Sequence, residues 1–155
     1  MEKQQEAQVR ERMALLGATC VCSNLRRAAR AVTNYYDSLL GPLSGLRISQ
    51  VSVLVVLYLT GSQTINELAE KLALDRTTLG RNLGPIAERG LLRLTAGSDQ
   101  RTRVVALTAQ GEEILLRILP QWEQTQAHMV AGMQQKQVTT FLTQLSDLAA
   151  RTYES

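Results

Sequence analysis

Histidine, cysteine and aromatic residues are scarce in this chain, and each scarcity removes a class of function. A single histidine, His128, leaves no imidazole pair for a metal or a proton relay. The two cysteines, Cys20 and Cys22, lack the second pair or the histidines that a zinc site needs. There is no G-x-S-x-G elbow and no phosphate-cradling glycine loop, so hydrolase and nucleotide-dependent chemistry have no anchor. Aromatics make up only 4% and prolines number 3, while Leu, Ala and Val abound, which leans the balance toward helix and away from a sandwich or barrel. No apolar run approaches the ~20 residues of a membrane span, and the opening "MEKQQEAQVRERM" has no apolar core, so no membrane partner and a cytoplasmic location are expected. His128, Met129 and Met133 read as packing or surface residues, and no metal or cofactor is expected.

What is present is an uneven distribution of charge. The net charge is +3 over 155 residues, and all of that excess lies between Asp75 and Arg103, where six arginines face three acids. Such concentration suits a surface for a polyanion. Around it the periodicity is helical. From about Gln8 to Leu40 the stripe Val21, Leu25, Ala28, Ala29, Val32, Tyr36, Leu39 predicts one long amphipathic helix, ended by "GPLSG". "ISQVSVLVVLYLTG" is apolar nearly all round and predicts a buried helix stopped by Gly61.

Thr64 followed by Glu67 forms a capping box for a short helix with Ile65, Leu68, Ala69 and Leu72 inward. Asp75 can cap the next segment, "DRTTLGRNLGPIAERGLL", so two short helices meet at a tight turn in a helix-turn-helix arrangement. "LLRLT" and "RVVALT" flank "AGSDQRT" and predict a hairpin with a basic tip, a wing. Thr108 caps a helix from about Ala109 to Gly132, eased at Pro120, and a last helix carries Val138, Leu142, Leu145 and Ala149 on one stripe. The fold class expected is mainly α with a small β wing.

At 100° per residue the segment after Asp75 buries Leu79, Leu83, Ile86 and Ala87, leaving Thr77, Arg81, Gly84 and Glu88 opposite, with Thr78 and Pro85 on the flank. A helix entering a DNA major groove needs side chains that reach base edges near its start and small residues where it nears the sugar-phosphate wall. Arg81 fits a bidentate contact to guanine, Thr77 and Thr78 a thymine methyl or a phosphate, Asn82 an adenine, and Arg76 the backbone at the point of entry. Arg103 is a candidate for a phosphate or, as a strand residue, simply an exposed side chain. Gly80 and Gly84 cost about 1 kcal/mol each in a helix interior and Pro85 about 3 kcal/mol, so tertiary contacts must hold this segment.

"LAEKLALDRTTLGRNLGPIAERGLLRLTAGSDQRTRVVALTAQG" resembles the winged helix-turn-helix core of the MarR family of bacterial transcriptional regulators. The resemblance rests on the "ERGL" of Glu88 to Leu91, the D-x-R of Asp99 to Arg101, and the LT-x-x-G of Leu107 to Gly111, with helical arms of matching order on either side. It implies a repressor that binds a pseudo-palindromic, double-stranded operator as a homodimer, with half-sites ~10 bp apart. Residues 47–108 would bind DNA, and 8–40 with 109–152 would dimerise. By position, Arg101 would enter the minor groove and Asp99 would fix the wing by pairing with a nearby arginine.

The family responds either to phenolic and other small ligands or to oxidation of a cysteine. Cys22 lies near the apolar stripe, fourteen residues before Tyr36, a position similar to the reactive cysteine of the organic hydroperoxide branch. Fourteen residues of helix rise ~21 Å, so Tyr36 would reach Cys22 only from the other subunit. Where that branch has a tyrosine one turn after its cysteine this sequence has Arg26, which can favour a thiolate at Cys22. Cys20 points the other way. On a regular helix residues i and i+2 do not face each other, so a disulfide is expected between subunits or after local unwinding. The alternatives to oxidant release are a small effector near Tyr35 and Tyr36, a thiol peroxidase, or an interaction module without DNA affinity.

Overall fold

The computed structural model describes residues 2–97 and 102–151. Its elements run α1 (Glu2–Thr19), α2 (Val21–Ser44), α3 (Ile48–Thr60), β1 (Gln63–Thr64), α4 (Ile65–Lys71), α5 (Arg76–Glu88), β2 (Leu92–Ala96), β3 (Arg103–Leu107), α6 (Ala109–Met129) and α7 (Gln135–Arg151). The molecule is mainly α with one small antiparallel sheet, as the composition and periodicity led us to expect. Two compact units divide it, Met1–Ile118 and Leu119–Ser155, with the boundary inside α6.

Helix α3 is the centre of the first unit because it is the most apolar segment. It packs against α2, α4, α5 and β3. Val51, Val53 and Leu54 on α3 are fully buried, as are Leu40, Leu68, Leu79, Ile86, Val105 and Ile118 around it. Each such side chain contributes about 1.5–3 kcal/mol relative to exposure. The all-round burial expected for α3 fails in its last turn, where Tyr58 and Leu59 face outward. Gly61, at φ 73, then ends the helix and donates its N–H to Leu57 O.

The single helix expected from Gln8 to Leu40 is two. Cys20 has extended backbone, φ −62 and ψ 111, and α2 begins after it. Polar side chains near the break compete with the helical ladder. Thr19 donates its hydroxyl to Leu15 O at 2.8 Å, and the Asn24 amide donates to both Ala18 O and Cys20 O at 3.0 Å. Carbonyls at the break are thereby satisfied without a continuous helix. Helix α2 then runs unbroken to Ser44, with Pro42 in its final turn and Gly45 at φ 66 donating to Gly41 O. Asp37 accepts the N–H of Ile48 at 2.6 Å, which ties α2 to the first turn of α3.

The sheet has the order β1-β3-β2. The hairpin pairs Leu92 with Leu107 and Ala96 with Arg103, while β1 pairs Gln63 with Val105. Strand β1 was not expected, since two residues carry no periodicity of their own. In the second unit Thr125 is buried and donates its hydroxyl to Gln121 O at 2.7 Å. Helix α6 stops at Met129 rather than continuing to Gly132, which sits at φ 83 in the turn. No residue of α7 is buried, and Phe141 and Leu142 stand exposed. No single helix among the described residues is long and apolar enough to cross a membrane.

Candidate nucleic-acid interface

The turn between α4 and α5 is built from local signals. Glu67 accepts the Thr64 N–H at 2.8 Å and Thr64 accepts the Glu67 N–H at 3.3 Å, so the expected capping box is present. The Thr64 amide and then the Thr64 hydroxyl, which donates to the same carboxylate at 2.7 Å, hold the Glu67 carboxyl below its ordinary value. Helix α4 ends with the N–H of Leu74 on Ala69 O and that of Ala73 on Glu70 O. This closure puts Ala73 in the left-handed region at φ 51, where glycine is usual, and it reverses the chain within three residues of the next cap.

That cap is Asp75. Its carboxylate accepts the Thr78 N–H at 2.8 Å and the Thr78 hydroxyl at 2.6 Å. Both hold the carboxyl below its ordinary range, the hydroxyl more than the amide. The Thr78 hydroxyl is therefore engaged with Asp75, leaving its methyl and an oxygen lone pair for any outside partner.

The faces of α5 fall as periodicity predicted. Leu79, Leu83 and Ile86 are buried and Ala87 half-buried, while Arg76, Thr77, Thr78, Arg81, Gly84, Pro85 and Glu88 are exposed. Gly80 shares the exposed surface, and a side-chain carbon built on it or on Gly84 meets nothing within 4 Å. Asn82 is half-buried, a flank rather than the centre of the outward face. Arg76 and Arg103 come together from different elements. With Thr64, Asn66 and Thr102 they line one cleft of about 190 Å³. Gly97 donates its N–H to Thr102 O at 2.7 Å and closes the described part of the wing. Asp99 and Arg101 lie outside the described residues.

The far end of α5 holds a residue that sequence reasoning missed. Arg89, the C-cap, donates from one guanidinium nitrogen to Gly45 O and from the other to Ser44 O, both at 2.7 Å. It thus fastens the end of α5 to the end of α2, forty-four and forty-five residues away in sequence. Only the positive charge before a helix-stopping glycine was visible, and many exposed arginines share that feature. The next residue is fixed too, because Gly90 O accepts the Thr108 hydroxyl at 2.7 Å while that hydroxyl caps α6 by accepting the Gly111 N–H at 3.1 Å.

The cysteine expectations change. Cys20 is half-buried with extended backbone ahead of α2, not on a regular helix, so the geometric bar to bonding across i and i+2 does not apply as it stood. The Cys20 thiol has a neighbour that favours the thiolate. The Ser23 hydroxyl and then the Ser23 amide lower its pKa from 9.0, against a smaller opposing effect of desolvation. Cys22 and Arg26 are both exposed in the first turns of α2. Tyr36 is buried in the same helix, and burial, followed by the neighbouring Tyr35, raises its phenol pKa. Because α2 is continuous from Val21 to Ser44, Cys22 and Tyr36 of one chain remain ~21 Å apart along it. Among the described residues no three His, Cys, Asp or Glu side chains cluster to hold a metal ion.

No protein-family model matches the chain. Solved structures do. The transcriptional regulator MosR of M. tuberculosis, crystallised in complex with DNA, is 37% identical over 86% of this chain and 98% of its own, with a TM-score of 0.75. The PcaV transcriptional regulator of Streptomyces coelicolor, in complex with its natural ligand, shares 20% identity over 86% of this chain and 94% of its own, with a TM-score of 0.79. Sco3205, a MarR family transcriptional regulator from the same organism in complex with DNA, shares 21% identity over 85% of this chain and 84% of its own, with a TM-score of 0.75. These neighbours are regulators rather than enzymes, and the thiol peroxidase alternative is set aside. A winged helix-turn-helix with an arginine-bearing outward face, 37% identical to a DNA-bound regulator over 86% of its length, belongs to the MarR family of DNA-binding transcriptional regulators.

Proposed function

We propose that the protein is a repressor that occupies a pseudo-palindromic operator as a homodimer and leaves it when a cysteine at the start of α2 is oxidised. Helix α5 enters the major groove, with Arg81 and Thr77 on its outward face reading bases, Thr78 offering its methyl, and Asn82 reading from the flank. Arg76 and Arg103 take phosphate oxygen in the cleft they share, with Asp99 and Arg101 as further residues of the DNA-binding set. Pairing of two copies would cover the apolar residues that one chain leaves outside, among them Val21, Leu25 and Val32 of α2 and Phe141 and Leu142 of α7. Residues 47–108 then read DNA while 8–40 and 109–152 join the subunits. The cytoplasm is where such a protein meets its operator.

The observation that carries oxidant release is the break at Cys20. Its half-buried thiol is favoured as thiolate by Ser23 and placed where the backbone already departs from helix. Thiolate sulfur attacks the distal oxygen of a hydroperoxide; the S–O bond forms, the O–O bond breaks, and the alcohol or water leaves. The sulfenic acid then condenses with the thiol of Cys22 or of a cysteine in the second copy, forming S–S and releasing water. Either bond pulls on the first turn of α2, and Arg26 and Tyr36 share that helix.

Fluorescence anisotropy with DNA from upstream of the protein's own gene tests this reading. Reduced protein is expected to bind, stoichiometric peroxide to release it, and a thiol reductant to restore binding, with Cys20→Ser insensitive. Release that persists in the Cys20→Ser, Cys22→Ser double variant would sink the cysteine mechanism. Binding that ignores oxidant would favour a small effector, the reading consistent with the ligand-bound PcaV neighbour.

A further inference from the structure

We infer that Arg89 is the positioning residue that sets the register of the recognition helix α5 on helix α2, so that sequence-specific DNA affinity depends on a contact that never touches DNA. The inference rests on the DNA-binding assignment and not on the cysteine mechanism. Two features of α5 motivate it. Its first turn is held locally, by Asp75 and Thr78 three residues apart. Its outward surface carries two glycines and a proline, so the helix has little intrinsic stiffness of its own.

At the other end Arg89 supplies a rigid fork. Its two nitrogens reach consecutive carbonyls, Ser44 O and Gly45 O, each at 2.7 Å, at the negative end of α2 where four carbonyls lack helical partners. A planar guanidinium bridging two acceptors fixes direction as well as distance, which a point charge cannot do. The receiving site is shaped for it. Gly45 is in the left-handed region at φ 66, and a side-chain carbon there would stand 3.0 Å from one guanidinium nitrogen and 3.1 Å from the other. Ser44 is itself fixed, donating to Leu40 O at 2.8 Å and accepting the Leu46 N–H at 3.0 Å. Movement of the end of α2 therefore passes through two short bonds to the residue that ends α5.

Arg89→Gln removes the fork while keeping a polar side chain, and Arg89→Lys keeps the charge but cannot bridge both carbonyls in plane. The probe is a duplex selected by the wild-type protein from a random pool, compared with an unselected duplex of equal length. For Arg89→Gln we expect affinity for the selected duplex to fall about ten-fold, as when only a tenth of the molecules hold the competent pose. Affinity for the unselected duplex and the slope of log affinity against log salt should stay at wild-type values. Arg89→Lys should recover part of the loss. Gly45→Ala, which displaces the fork from the other side, should act in the same direction, and adding it to Arg89→Gln should cost nothing more.

Several results overturn the inference. A salt slope shallower by about one unit would mean that Arg89 contacts a phosphate directly. Equal loss on both duplexes, alongside a lower melting temperature, would assign Arg89 to stability alone. Unchanged affinity for the selected duplex would remove the contact from recognition altogether, and additive losses in the double variant would uncouple the two residues. Failure of the wild-type protein to select any duplex would count against the DNA-binding assignment instead.

Discussion

Replacing Gly80 with alanine is expected to stabilise the protein and weaken its hold on DNA at the same time. The glycine lies inside α5, outside the left-handed region, and the added methyl meets nothing of the chain within 4 Å. Alanine in a helix interior is favoured over glycine by about 0.5–1 kcal/mol. For a chain of this size the melting temperature moves by roughly 2–4 °C per kcal/mol, so a rise of about 1–4 °C is predicted. In the proposed DNA complex the same methyl would project from the exposed surface that also carries Gly84, next to Arg81, the surface assigned to the groove. Overpacking a close contact costs about 1–3 kcal/mol, which is five-fold to more than a hundred-fold in affinity. Thermal melts by circular dichroism at one fixed protein concentration and anisotropy titrations on the selected duplex measure the two effects separately. A raised melting temperature with unchanged affinity would refute the placement of this surface against DNA, and a lowered melting temperature would refute the local account of Gly80. Gly84 is the control. It has the same open space but precedes Pro85, whose ring crowds any side-chain carbon on the residue before it in helical backbone, so Gly84→Ala should stabilise less or not at all.

Gly111→Ala should do the reverse. Its added carbon would overlap Leu91 O and stand 2.6 Å from Leu107 Cδ1, so a penalty of about 1–3 kcal/mol should outweigh the helix gain; a higher melting temperature would contradict that packing. Arg81→Ala should lose about 1–3 kcal/mol of discrimination at one base position, read by titrating point-substituted duplexes, and loss of affinity with discrimination intact would make Arg81 a phosphate contact. The Asp75 carboxyl is held below its ordinary value of 3.8, so its cap contributes in full above that value and is lost as pH falls through the lower, folded-state value. Acid should therefore weaken the start of α5, and Asp75→Asn should flatten that part of a melting profile taken from about pH 6 to about pH 3. An unchanged acid limb would contradict the assignment.

The sequence by itself determined what rests on short-range pattern. The Thr64 and Glu67 box, the Asp75 cap, the buried Leu79, Leu83 and Ile86 face and the Leu92 to Leu107 hairpin all follow from side chains a few residues apart, where helix and strand periods dictate who meets whom. The basic outward face of α5 was legible for the same reason. Tertiary structure decided the rest. Arg89 finds its carbonyls across forty-four residues, and no local pattern encodes a partner that distant. Strand β1 exists only because β3 offers Val104 and Val105 to pair with. The break at Cys20 escaped notice because the apolar stripe from Val21 to Leu39 describes α2 alone and says nothing of where the helix before it ends. That stripe also reads as interior, yet Val21, Leu25 and Val32 lie on the surface of a single chain. A hydrophobic period reports that a face avoids water; which surface covers it is settled by the arrangement of whole helices.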